Sequence, residues 1–135
     1  HTAVMRARPD VKATVHTHGM FATIMAMGDD AQLVPVTPPQ CEFVPVGIVP
    51  FTMPGSDEVA DKVVEALGSA GRSVLIKNHG MFCCGKDMKA AMAATVYTEE
   101  MATTAYYAKV LGSFEPMPEA GVKKMKELIA ADQAV

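Results

Sequence analysis

The sequence predicts a single α/β sandwich domain, and three observations carry that expectation. Short β-branched runs at residues 12–18 and 73–84 alternate with helical stretches at 20–27, 56–67 and 87–110, a pattern met by packing helices on a sheet. The 135 residues, half of them hydrophobic and a fifth charged, suffice for one ordinary globular core. The ten glycines and nine prolines are spread along the chain rather than massed into a linker, and no repeat period appears.

Taken in order, residues 1–8 have helical composition, and Arg8-Pro9-Asp10 stops them because the residue before proline is pushed out of the helical region. The chain starts at His1 without a methionine and runs at once into this stretch, which reads as the tail of a cut helix. A longer protein with a further N-terminal portion is therefore expected. Residues 12–18 follow as a strand ended by Gly19. Residues 20–27 are apolar on nearly every face and predict a short buried helix whose three methionines lie in the core, closed by a solvated turn at Asp29-Asp30.

Prolines at 35, 38, 39, 45, 50 and 54 exclude a helix over residues 33–51 and restrict any strand to short or edge pieces, residues 44–51 being the best candidate. Ser56-Asp57-Glu58 then supplies an N-cap and first-turn acids for a helix with an apolar stripe at Val59, Val63 and Leu67. Residues 73–84 hold two apolar runs broken by Lys77-Asn78-His79-Gly80, giving two strands or one sharply bent at Gly80. Residues 87–110 lack glycine and proline and predict the longest helix, with Gly112 just past its end, and a last helix is expected over 118–131.

Charge and cysteine content narrow the function classes. A net charge of −3 with acids and bases interleaved leaves no basic stripe for phosphates, so nucleic acid is not an expected partner. No run approaches the roughly twenty apolar residues of a membrane span, and no membrane association is expected. Cys41, Cys83 and Cys84 form an odd set with no C-x-x-C spacing, which suits small buried side chains in a reducing cytoplasm.

The chemistry resides in the histidines. His16-Thr17-His18 closes the first strand, and period two puts both imidazoles on one face, able to point at one ion. Alone, such a pair is more often two hydrogen-bonded, half-buried histidines. His79 shifts the balance, because it follows the chain's single asparagine, precedes a glycine and sits where the strand must turn. Three neutral imidazoles leave a tetrahedral ion one open position, the arrangement of a catalytic site.

Other polar residues have plainer readings. His1 is expected to be a satisfied or surface histidine, Glu42 a loop residue, Glu99-Glu100 an ordinary mid-helix pair, and Tyr97, Tyr106 and Tyr107 packing residues. Neither a P-loop nor G-x-G-x-x-G occurs, and no G-x-S-x-G elbow is present.

Arg8-Pro9-Asp10-Val11 leading into Ala13-Thr14-Val15-His16-Thr17-His18, then Lys77-Asn78-His79-Gly80-Met81, resembles the class II aldolase/adducin family. Met53-Pro54-Gly55-Ser56 and Thr98-Glu99-Glu100 fall where similar sequences occur in that family, so the likeness covers essentially the whole chain. The resemblance makes His16, His18 and His79 the ligands of a zinc or another divalent ion. It places the family's acid/base glutamate, itself a metal ligand, a few residues upstream of His1, and the phosphate-binding loops upstream as well. No catalytic residue is thereby assigned within the chain. Residues 1–135 would form the C-terminal portion of a class II aldolase/adducin domain.

The implied fold is a three-layer α/β/α sandwich around a mainly antiparallel sheet, assembled as a homotetramer. The implied activity is that of a zinc-dependent lyase cleaving a ketose phosphate, a small sugar phosphate, by a retro-aldol reaction through a metal-stabilised enediolate. An epimerase or decarboxylase using the same ion is the near alternative, and a non-catalytic adducin-like scaffold the more distant one.

Overall fold

The computed structural model describes residues 1–28 and 31–132, so the turn expected at Asp29-Asp30 lies outside the described residues. Among the described residues ten elements follow one another: α1 (Thr2–Ala7), β1 (Ala13–Thr17), α2 (Met20–Met27), a 3-10 helix (Pro38–Phe43), β2 (Gly47–Val49), α3 (Asp57–Leu67), β3 (Ser73–Ile76), β4 (Gly80–Gly85), α4 (Met88–Leu111) and α5 (Glu119–Asp132).

The four strands form one sheet in the order β1-β4-β3-β2. β1 runs antiparallel to β4, from Ala13 opposite Gly85 to Thr17 opposite Met81, and β3 runs antiparallel to β4, from Ser73 opposite Cys83 to Ile76 opposite Gly80. Only the edge pair is parallel, Gly47 to Val49 of β2 lying beside Val74 to Ile76 of β3. The α/β fold and the mainly antiparallel sheet are as expected.

Alternation along the strands divides the core in two. Leu75, Met81 and Cys83 face one way, into a cluster with Ala22, Met25 and Ala26 of α2 and with Ala94, Met101 and Ala102 of α4. Val74, Ile76, Phe82 and Cys84 face the other way, against Val4 of α1 and Val63 and Leu67 of α3. Both faces of β3 and β4 are therefore buried, each fully covered aliphatic side chain contributing about 1.5–3 kcal/mol. Three layers result, with α1 and α3 on one side and α2 and α4 on the other.

Local signals act where the sequence places them. Ser56 Oγ accepts from Val59 N to start α3, and Asp87 Oδ1 accepts from Ala90 N at 2.7 Å to start α4. Gly112, at φ 89°, closes α4 in the left-handed conformation that glycine adopts without penalty. All three cysteines are free and buried.

Two expectations need correction. The proline-rich segment holds a 3-10 helix, since Pro38 and Pro39 occupy its first turn, where no amide donor is needed, and Thr37 and Gln40 form a capping box. Of the three methionines of α2 only Met25 is in the core, Met20 and Met27 being 67% and 53% exposed. A helix lying on a sheet buries one stripe, here Ala22, Met25 and Ala26, whatever the composition of its other faces.

Candidate metal centre

His16, His18 and His79 come together at the end of the sheet where β1 leaves and β4 begins. One ring nitrogen from each lies within 4.8 Å of the other two. Ring centroids are 5.0 Å apart for His16 and His18, 4.8 Å for His16 and His79, and 5.4 Å for His18 and His79. The group contains no carboxylate.

Each ring reaches this place differently. His16 lies opposite Phe82 in the β1–β4 ladder, on the α1/α3 side of the sheet. Its Nδ1 is 2.9 Å from the carbonyl oxygen of Met81, which only accepts, so Nδ1 carries the proton and Nε2 the lone pair. Burial is the largest influence on His16 and pushes its pKa below the ordinary value; the Met81 carbonyl opposes this and the two neighbouring imidazoles add to it. A neutral ring with a defined lone pair is the form a cation needs.

His79 stands in the turn joining β3 to β4, closed by His79 N donating to Ile76 O at 3.1 Å. Asn78 takes a positive φ of 55° there, which asparagine tolerates better than most residues. The Nδ1 of His79 is buried without a hydrogen-bond partner among the described residues, a costly state that an electron-pair acceptor would relieve. His18 is exposed and follows the last residue of β1. An all-imidazole donor set with one buried, unpaired nitrogen fits a borderline-soft ion such as zinc.

A cavity of about 330 Å³ opens beside His16 and His79, lined also by Val4, Ile76 and Phe82 and by Ser56 at the start of α3. His1 also borders it, held by a 2.7 Å contact between its Nδ1 and Thr14 Oγ1, but is not in the three-histidine group. Glu42 pairs with Arg72 at 3.5 Å, and Glu100 accepts from Gln40 Nε2 at 2.7 Å. Tyr97 stacks on Phe43 with centroids 4.9 Å apart, while Tyr106 and Tyr107 pack on Phe21, as their helical placement predicts. The Met81 carbonyl is invisible to sequence reasoning because 65 residues separate it from His16.

A family model described as Class II Aldolase and Adducin N-terminal domain matches residues 1–106. The chain belongs to the class II aldolase and adducin family. A relative named L-fuculose phosphate aldolase, from Methanococcus maripaludis, is 33% identical over 108 residues, covering 78% of this chain and 57% of that protein. Another, named 3-oxo-tetronate 4-phosphate decarboxylase, from Haemophilus influenzae, is 29% identical over 110 residues, covering 78% of this chain and 50% of that protein. The solved structure of YgbL from Escherichia coli superimposes with a TM-score of 0.83 at 24% identity, covering 93% of this chain and 62% of that one, which is a likeness of fold. This class II aldolase-family chain thus spans between 50% and 57% of the length of those two curated relatives.

Proposed function

We propose that this family member is part of a zinc-dependent class II aldolase-type lyase, with His16, His18 and His79 as the metal ligands and a ketose phosphate as substrate. The convergence of three imidazoles, one with a buried and unpaired Nδ1, carries the reading. Relatives named as sugar-phosphate aldolases support the substrate class. A bound divalent ion would supply Lewis-acid polarisation of a carbonyl oxygen, the assistance a retro-aldol cleavage requires.

The chain's own residues would do the rest by position. The Met81 carbonyl holds His16 in the tautomer with Nε2 free, and the Asn78 turn delivers His79. Val4, Ile76 and Phe82 give the cavity beside His16 and His79 an apolar wall. Proton transfer is given to no residue of this chain, because no carboxylate joins the histidine group. Residues 1–135 are read as one portion of a class II aldolase/adducin domain that works in the cytoplasm as a homotetramer.

The first test is metal analysis of protein purified without chelator. About one zinc per chain is expected, with most of it lost in His16→Ala. Absence of stoichiometric metal from the unaltered protein overturns the reading and favours an adducin-like scaffold. The relative named a decarboxylase supports a second reaction on the same ion. Assays with ketose phosphates and 3-oxo acid phosphates separate the two: paired aldehyde and shorter ketose phosphate mark the lyase, released carbon dioxide the decarboxylase.

A further inference from the structure

α4 carries a carboxylate that the histidine group does not include. Glu99, half-buried along that helix, accepts hydrogen bonds from Phe21 N at 2.8 Å and Ala22 N at 2.9 Å. These amides belong to the first turn of α2, where N–H groups have no intrahelical partner, and Gly19 at the N-cap brings no side chain to receive them. Glu99 therefore caps one helix from another and sets its charge at the positive end of the α2 dipole. Gly19 is fitted to that approach: a Cβ there would collide with the Glu99 carboxylate and come within 3.1 Å of Met81 Cε.

The clamp lies next to the ligand that most needs one. His16 is tied to Met81, and His79 is set by its hairpin turn. His18 is exposed, lies beyond the end of β1, and has no hydrogen bond to its ring among the described residues. The point from which its side chain leaves is set by the backbone between β1 and α2, and the start of α2 is what Glu99 holds. We propose that Glu99 is the positioning residue of the three-histidine centre, fixing the His18-Gly19 turn so that the His18 imidazole points at His16 and His79. This rests on the reading of those histidines as metal ligands.

The test compares zinc affinity, by competition with a chromophoric chelator, and the visible spectrum of the cobalt-loaded protein, across unaltered protein, Glu99→Ala, Glu99→Gln and Asp87→Ala. Glu99→Ala is expected to weaken zinc binding about tenfold or more, the usual effect of removing a group that orients a ligand, and to alter the cobalt spectrum. Glu99→Gln keeps one acceptor oxygen but turns an NH₂ toward the other donor, so an intermediate affinity is expected. Asp87→Ala deletes an equivalent cap at the start of α4 and is expected to lower Tm with zinc affinity unchanged.

Unaltered affinity and spectrum in Glu99→Ala overturn the proposal. Where that variant does not fold, the same result in folded Glu99→Gln overturns it. A loss of affinity in Asp87→Ala matching its loss of Tm also overturns it, since the effect would then be general destabilisation. Unaltered protein that binds neither zinc nor cobalt overturns the metal centre itself, an outcome distinct from a failure confined to Glu99.

Discussion

His16 and Met81 are joined across the β1–β4 ladder by a 2.9 Å hydrogen bond from the imidazole Nδ1 to the main-chain oxygen. The neutral ring is therefore expected as the Nδ1–H tautomer. Long-range ¹H–¹⁵N correlation spectra of the metal-free protein check this. Added zinc should shift His16 Nε2 while Nδ1 stays protonated, and a predominant Nε2–H form would contradict the hydrogen bond to Met81.

Gly80 opens β4 immediately after His79 and lies against the end of β1. A Cβ there would run into the carbonyl oxygen of Thr17 and come within 2.9 Å of His18 Cδ2. Gly80→Ala should push the two strands apart where the histidines meet. A loss of about 1–3 kcal/mol in urea denaturation, with weaker zinc binding in the protein that remains folded, is the expected result. Stability equal to the parent would contradict it.

Arg8 pairs its Nε and Nη2 with the two carboxylate oxygens of Asp10, and its Nη1 donates to the carbonyls of Gly68 and Gly71, tying the end of α1 to the turn after α3. The Arg8 hydrogen bond is the main cause holding the Asp10 pKa below the ordinary carboxylate range. A depressed folded-state pKa gives stability that is present above the unfolded value, about 3.9, and disappears as pH falls through the folded value. Asp10→Asn should cost about 0.5–1 kcal/mol at neutral pH, a small figure because the Asp10 side chain is 63% exposed. The difference from the parent should close on acidification, and an equal deficit at every pH would refute the assignment.

Met101 is completely buried between α4 and the sheet, on the face opposite His16. Met101→Ala should lower stability by about 2–5 kcal/mol. Zinc affinity measured on the folded fraction should not change. A loss of affinity here would mean that the centre responds to any weakening of the core.

Much of this architecture is legible in the sequence because its signals are local. The Ser56 cap and the Val59, Val63, Leu67 stripe announce α3, and Gly112 marks the end of α4. The three histidines are singled out by spacing and by Asn78-His79-Gly80, and the structure brings their rings together at a hairpin end. What stays hidden depends on distant pairings. Glu99 reads as half of an ordinary acidic pair on a long helix, and its role as a cap follows from a partner 78 residues away. The 3-10 helix escapes for another reason: counting prolines excludes a helix interior, whereas Pro38 and Pro39 need only a first turn. Exposure of Met20 and Met27 depends on which stripe of α2 meets the sheet, and uniform hydrophobicity does not specify that.

The strand order β1-β4-β3-β2 divides the histidine cluster between two distant parts of the chain. β3 and β4 are neighbours in the chain and close as a hairpin, but that hairpin carries His79 alone. His16 and His18 arrive only when β1 finds β4 across an intervening stretch that includes α2 and α3, a non-local search of the kind that slows folding. The β3–β4 hairpin thus carries one of the three imidazoles, and the complete cluster exists only where β1 lies beside β4.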